Sequence, residues 1–135
     1  MSIPSRGGET ILVVEEEPAS RATLCRTLRA EGYVVIPAGR GLEMHWCVER
    51  HASRVHLLVA ELAAPEADHY HLGIPITRLL TSTRVIFTSR EPRETHLRRG
   101  LLHPATPFIH TPAPPGVIAR TVRRVLDGPG GATLM

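Results

Sequence analysis

The feature that most constrains the fold is a set of five short apolar runs separated by segments of helical period. The runs are residues 11–14, 33–37, 55–60, 84–88 and 107–110. The first reads Ile-Leu-Val-Val, a continuous and mostly β-branched aliphatic run typical of strands buried on both faces. Five strands alternating with helices require parallel pairing through right-handed crossovers. The pattern therefore predicts an α/β fold, with one parallel sheet between two helical layers.

The helical segments are predicted from their start signals and apolar spacing. Residues 18–30 open with Pro18 and are followed by Gly32, and residues 115–126 place Ile118, Val122 and Val125 on one stripe. Residues 41–51 and 91–102 are the second and fourth helical segments. The third, between residues 70 and 80, contains Gly73 and Pro75, so we expect a short helix that begins near Pro75.

The chain of 135 residues is the length of one domain. Residues 1–9 and 128–135 are polar or Gly-rich and are predicted to be flexible ends around a folded part at 10–127. No stretch approaches the roughly 18 apolar residues of a membrane span, and no signal peptide is visible. Cys25 and Cys47 form no metal-binding or disulfide pattern, which favours buried thiols in a cytoplasmic protein.

The charged residues exclude some chemistry. All 16 basic residues are Arg, so no reaction that needs a lysine amine is available. The net charge of +3 is spread along the chain, and few aromatic residues are present, so a nucleic-acid-binding module is a weak alternative. The chain has no nucleophile-elbow turn and no Gly-rich phosphate loop, which argues against a hydrolase or a nucleotide-binding enzyme.

In a parallel sheet of this kind, ligands bind at the carboxyl ends of the strands. Here those ends are rich in acids and hydroxyls. The candidate residues are Glu15, Glu16 and Glu17 after the first run, Glu61 after the third, Thr88 and Ser89 after the fourth, and His110 and Thr111 after the fifth. The sequence thus predicts a polar site at one edge of the sheet.

These residues resemble the receiver domain of two-component response regulators, whose first strand commonly reads I-L-V-V-D-D-E-P. Residues 11–18 read Ile-Leu-Val-Val-Glu-Glu-Glu-Pro, and 57–61, 85–89 and 108–112 follow in the order and spacing of receivers. The resemblance covers about residues 10–127 and implies a CheY-like, flavodoxin-like (βα)5 three-layer sandwich with strand order 2-1-3-4-5. Residues 89–108 look most like receivers attached to hybrid sensor histidine kinases.

The resemblance also implies roles for the residues at the site. Glu15 and Glu16 match the acidic pair that holds Mg²⁺, together with the acceptor and the backbone carbonyl of Ala63. Glu61 matches the phosphoryl-accepting aspartate, Ser89, with Thr88 before it, the phosphate-binding hydroxyl, and Phe108 the aromatic switch position. Thr111, before Pro112, stands where receivers have a lysine. Three acids are thus one methylene longer than the family pattern, and the lysine is absent.

This departure predicts impaired phosphorylation. Transfer to a carboxylate needs countercharges on the phosphoryl oxygens, and one of them is missing without lysine. A Glu also places its carboxylate roughly 1.5 Å farther out than Asp, whereas a misplacement near 1 Å can cost about 100-fold in rate. Arg90 offers a substitute charge if it does not simply point to solvent. We expect an atypical, non-enzymatic pseudo-receiver; the alternative is a slow but functional Mg²⁺-dependent acceptor.

The cluster of acids leaves two electrostatic solutions open. Three converging carboxylates repel one another, so either a divalent cation such as Mg²⁺ lies among them or at least one keeps a proton near neutral pH. A third possibility is that Glu15, Glu16 and Glu17 form only a solvated acidic turn before a helix. His69 and His71 in the loop after the third strand are expected to be ordinary loop residues, as are the other six His.

The resemblance implies that the chain works through protein contact, with a histidine kinase or a downstream signalling protein as partner. Receivers signal through the face formed by the fourth helix, fifth strand and fifth helix. In this sequence the residues predicted on that face are His96, Arg99, Phe108, Arg120, Arg123 and Arg124. Such a basic face suits an acidic partner or a second copy of the chain, as a homodimer.

Overall fold

The helices and strands alternate along the chain as the apolar pattern predicts. The computed structural model describes residues 8–39, 42–62 and 83–128. The elements are β1 (Thr10–Val14), α1 (Pro18–Ala30), β2 (Val34–Ala38), α2 (Leu42–His51) with a 3₁₀ turn (Ala52–Arg54), β3 (Leu57–Glu61), β4 (Arg84–Ser89), α3 (Arg93–Arg98), β5 (Phe108–His110) and α4 (Pro115–Asp127). The predicted third helix, at residues 70–80, lies outside the described residues, so α3 and α4 are the predicted fourth and fifth helices.

The five strands form one parallel sheet in the order β2-β1-β3-β4-β5. In the centre of the sheet, Val14 of β1 pairs with Ala60 of β3, and Glu61 of β3 pairs with Thr88 of β4. The fold class and the strand order predicted from the sequence are both confirmed. As a result, the carboxyl ends of β1, β3, β4 and β5 lie side by side at one edge.

Each face of the sheet has its own apolar core because successive strand residues point to opposite sides. Ile11 and Val13 pack with Leu24 and Leu28 of α1 and with Ile118 and Val122 of α4. On the other face, Leu12 and Val14 pack with Cys47 and Val48 of α2, and Leu97 of α3 adds to this cluster.

Cys25 and Cys47 are both buried and free, as predicted, and burial raises the pKa of each thiol.

Two helices end at glycines with left-handed backbone geometry. Gly32 (φ 95°) follows α1, and Gly100 (φ 70°) follows α3. In both turns the next residue donates back into the last helical turn: Tyr33 N to Leu28 O, and Leu101 N to His96 O. This is a Schellman termination, which needs glycine because its φ is costly for other residues. It explains why α3 ends before residue 102 and why β2 begins after Tyr33.

Within the described residues, no helix combines the length and the apolar character needed to cross a membrane.

Candidate functional site

The site lies where β1 and β3 end next to each other. Glu15 follows β1 directly and Glu61 is the last residue of β3, one step beyond the paired residues Val14 and Ala60. The neighbouring ends of β4 and β5 add Ser89, which pairs with His110. The predicted acids and hydroxyls of four strand ends therefore meet at one edge of the sheet.

Glu15 is the most buried acid of this edge, with 5% of its surface exposed. Its Oε2 accepts a hydrogen bond from Glu17 N at 3.1 Å, and its own N donates to Ala38 O at 3.0 Å. The pKa of Glu15 is raised from 4.5 to about 7, mainly by burial and also by the charge of Glu61 and hydrogen bonding with it. The hydrogen bond from Glu17 N–H and the charge of Arg90 act in the opposite direction. In the absence of a cation, the carboxyl pair thus retains a proton close to neutral pH.

The rest of the acidic turn is organised by α1. Glu17 caps the helix, because its Oε1 accepts from Ser20 N at 2.8 Å. Hydrogen bonding with the side chain of Ser20, and then with its backbone N–H, lowers the pKa of Glu17. Arg21 donates to the backbone oxygens of Glu15 at 2.7 Å and Glu16 at 3.3 Å. The side chain of Glu16 is exposed. The turn therefore has a defined shape, in which Glu15 points inward and Glu17 is used for capping.

The side chain of Arg90 extends from the end of β4 to the start of α1. Its Nη2 donates to Ser20 Oγ at 3.0 Å and lies 3.7 Å from Glu17 Oε1, although 67% of the side chain is exposed. The backbone oxygen of Arg90 is bonded to His110 Nε2 at 2.9 Å. Arg90 thus lies against the start of α1, where its charge acts on Glu15 without direct contact.

The charge of Arg90 can be tested by substitution. Arg90→Ala removes a cation that lowers the pKa of Glu15, so we expect the carboxyl of Glu15 to titrate above about pH 7. The change in stability should stay below about 1 kcal/mol because the ion pair is exposed. Side-chain ¹³C NMR of Glu15 measures the shift. Arg99→Ala is the control, since Arg99 pairs with Glu91 and does not act on Glu15; an unchanged titration in Arg90→Ala would contradict the assignment.

Ser89 and Phe108 meet a residue that the sequence did not place in the site. Ser89 is buried at the end of β4, and its Oγ lies 2.8 Å from His96 Nε2. His96 of α3 is 1% exposed, and its ring lies 5.9 Å from that of Phe108. The sequence predicted His96 on an exposed contact face, and that prediction is wrong. Apart from its position seven residues after Ser89, the sequence gives no signal for this contact.

A second residue of the predicted contact face is also placed elsewhere. Arg123 has only 18% of its side chain exposed and donates to Glu9 Oε2 at 2.7 Å and to Asp127 Oδ1 at 2.8 Å. It also donates to Tyr33 Oη at 3.3 Å, next to the C-terminal end of α1. Through its ion pair with Glu9, which directly precedes β1, Arg123 links α4 to the first strand. Of the predicted arginines, Arg99, Arg120 and Arg124 remain exposed.

Thr111 occupies the position at the end of β5 where the resemblance places a lysine. It is partly buried, its N donates to Ser89 O at 2.8 Å, and the Thr111–Pro112 peptide bond is cis. Thr88 is also buried, and its backbone oxygen accepts from Leu62 N at 2.8 Å. The hydroxyls of the edge are thus present, but Thr111 brings no positive charge.

The predicted Mg²⁺ ligands are only partly brought together. Glu15 and Glu61 are neighbours, and their hard oxygens suit Mg²⁺. Across residues 8–39, 42–62 and 83–128, however, no three His, Cys, Asp or Glu side chains form a group that could hold a metal ion. Ala63, the predicted carbonyl ligand, lies outside the described residues, as do His69 and His71.

The strand order is that of the CheY-like receiver fold, and the chain is similar to receiver domains of this type. No family model matches the chain. The chain is 27% identical over 121 residues to the sensor kinase CckA of Brucella abortus. The matched segment covers 90% of this chain but only 13% of CckA.

Solved structures give the same class of fold. The receiver domain of the hybrid histidine kinase CckA is 27% identical, covers 87% of this chain and 99% of its own, and superposes with a TM-score of 0.66. Vibrio cholerae CheY4 superposes with a TM-score of 0.73 at 19% identity, covering 88% of this chain and 99% of its own. The structure of the CheX-CheY-BeF3-Mg²⁺ complex from Borrelia burgdorferi superposes with a TM-score of 0.74 at 20% identity. The match covers 89% of this chain and 90% of that chain.

Proposed function

We propose that the chain is an atypical receiver domain of two-component phosphorelay signalling, which acts mainly through protein contact and is impaired in aspartyl-type phosphorylation. The observation that supports this most directly is the Glu15–Glu61 pair. Burial, together with repulsion between the two carboxyls, raises the pKa of Glu15 to about 7, and the chain has no lysine to offset their charge. A phosphoryl group that arrives at Glu61 therefore finds one cation fewer than its transfer requires.

Mg²⁺ is the cation that would fit this edge. Glu15 and Glu61 would hold it, and bound Mg²⁺ supplies the positive charge that neutralises carboxylate and phosphoryl oxygens. The Borrelia burgdorferi CheY structure is that of a complex with BeF3 and Mg²⁺. In the present chain, Glu15 must lose its proton when the ion binds, so ion binding strengthens as the pH rises through about 7.

A slow acceptor is the second candidate, and two features favour it. Glu61 is only partly buried, so a small phosphoryl donor can reach it, and the guanidinium of Arg90 lies at the same edge. In this case Arg90 would supply, from the α1 side, part of the countercharge that Thr111 lacks.

The partner we propose is a histidine kinase or a downstream signalling protein. The match to a receiver domain within the sensor kinase CckA supports a partner of this kind, and also an origin in a hybrid kinase. The exposed Arg99, Arg120 and Arg124 would suit an acidic surface on that partner or a second copy of the chain. A cytoplasmic location belongs to the same proposal, because both described cysteines are free thiols.

Intact-mass spectrometry after incubation with acetyl phosphate and Mg²⁺ tests the proposal. We expect no added phosphoryl group under conditions that label an ordinary receiver incubated in parallel. An adduct that maps to Glu61 and is labile to hydroxylamine, as an acyl phosphate should be, would replace the atypical receiver by the slow acceptor. Glu61→Gln is the control, since it removes the nucleophilic carboxylate and retains the size of the side chain.

A further inference from the structure

The contact between His96 and Ser89 joins α3 to the hydroxyl at the end of β4. The two atoms, His96 Nε2 and Ser89 Oγ, are 2.8 Å apart, and both residues are buried. A hydroxyl has one proton to donate and two lone pairs that accept. The direction of this hydrogen bond therefore decides whether Ser89 still has its proton for another partner.

One lone pair of Ser89 is already used. Its Oγ accepts from Glu91 N at 3.0 Å, in the turn that leads into α3. If His96 Nε2 accepts from Ser89, the hydroxyl proton is already donated to a buried partner and is not available to a ligand. If Nε2–H donates instead, Ser89 accepts twice and retains its proton for an oxygen at the edge of the sheet.

The other ring nitrogen distinguishes the two arrangements. His96 Nδ1 is buried and has no hydrogen-bond partner among the described residues. A neutral imidazole that accepts at Nε2 must have its proton on Nδ1, which would leave a buried N–H unpaired. Buried N–H groups without partners are rarer than underused acceptors. The arrangement with the smaller penalty has the proton on Nε2 and a bare lone pair on Nδ1.

We propose that His96 is a positioning residue for the pocket hydroxyl: its Nε2–H donates to Ser89 Oγ, so that Ser89 retains its own proton for an oxyanion at the sheet edge. The inference rests on the proposed function only in treating Ser89 as part of an oxyanion-binding pocket. It is independent of whether Glu61 is phosphorylated.

The surroundings of His96 favour a neutral ring. Burial lowers the pKa of His96, and the charge of Arg99, directly after the helix, lowers it too, while Glu91 before the helix opposes them. From β5, the uncharged ring of Phe108 packs against it. A neutral ring has one proton, so its position on one nitrogen or the other is a single, measurable property.

Long-range ¹H–¹⁵N NMR of the histidine-labelled chain tests the tautomer. We expect a protonated Nε2 and an unprotonated Nδ1 for His96, with an Hε2 proton protected from solvent exchange. In Ser89→Ala this protection should be lost, since the acceptor is gone. A protonated Nδ1 in the unsubstituted chain would overturn the proposal. The His96 signals are those that disappear in His96→Gln, whereas His103→Gln, at an exposed site, leaves them in place.

Two substitutions at residue 96 separate positioning from packing. The amide of His96→Gln can still donate to Ser89, whereas the side chain of His96→Leu fills a similar volume and cannot. With inorganic phosphate as the probe, followed at the Ser89 amide signal, we expect affinity to fall about tenfold in His96→Leu, as for loss of one hydrogen bond, and to be retained in His96→Gln. Equal affinities in the two variants would refute the positioning role of His96. A lack of any phosphate-dependent shift in the unsubstituted chain would refute the oxyanion role of Ser89. Neither result concerns labelling of Glu61, which tests the proposed function separately.

Discussion

Glu61→Asp combined with Thr111→Lys should make the chain accept a phosphoryl group from acetyl phosphate at least about 100-fold faster than the unsubstituted chain. The first substitution draws the attacking carboxylate back by roughly one bond length, 1.5 Å. The second supplies a cation at the end of β5, beside Ser89, whose backbone already accepts from Thr111 N. Positioning and charge act on the same transfer, so both changes are needed for the full effect.

The single variants show which deficit is larger. Glu61→Asp alone should remain slow because the countercharge is missing, and Thr111→Lys alone because the carboxylate is misplaced. Thr111→Met, which approximates the length of lysine without its charge, is the matched control when combined with Glu61→Asp. The rate is measured as hydroxylamine-labile phosphate by intact mass. A folded double variant that gains no adduct would show that the longer side chains of Glu15 and Glu16, and not the acceptor and the lysine, limit the site.

The fold was accessible from the sequence because its determinants are local. The β-branched run in β1 and the Pro18 start of α1 specify their elements, and the alternation of strands and helices requires a parallel sheet. The predicted end of α3, at residue 102, is four residues too late, and the predicted start of β2, at residue 33, is one residue too early. There, the geometry is determined by glycine turns at Gly100 and Gly32, whose backbone hydrogen bonds are invisible in an apolar pattern.

The site was only partly accessible, for a physical reason. Strand order places Glu15 beside Glu61, so their proximity follows once the topology is known. The position of His96 does not follow, because one helical residue turns inward or outward according to how a short helix is rotated against the sheet. Arg123 is a similar case: its ion pair with Glu9 joins residues 114 positions apart. Polar contacts between distant segments are determined by packing, which periodicity alone does not encode.

The second large effect concerns stability and pH. Because the folded chain holds the pKa of Glu15 at about 7, against 4.5 for an unhindered carboxyl, it binds more protons than the unfolded chain between these values. Stability must therefore fall as the pH rises from about 4.5 to about 7 and then level off. Glu15→Gln cannot ionise, and its amide oxygen can still accept from Glu17 N. At about pH 8 we expect this variant to be more stable than the unsubstituted chain by roughly 2 kcal/mol.

Urea unfolding of both proteins across this pH range measures the difference. The comparison must be made between variants, since His96 acts in the opposite direction: burial lowers its pKa, so its contribution to stability grows as the pH rises toward 6.5 and is complete above it. Subtracting the two curves cancels that contribution. Glu49→Gln, at an exposed site on α2, should leave the slope unchanged. Millimolar Mg²⁺ should reduce the advantage of Glu15→Gln above pH 7, because an ion bound by Glu15 and Glu61 stabilises only the ionised pair. Parallel pH curves for Glu15→Gln and the unsubstituted chain would mean that solvent or Arg90 already offsets the repulsion between the two carboxyls. In that case, charge repulsion does not explain the impaired site.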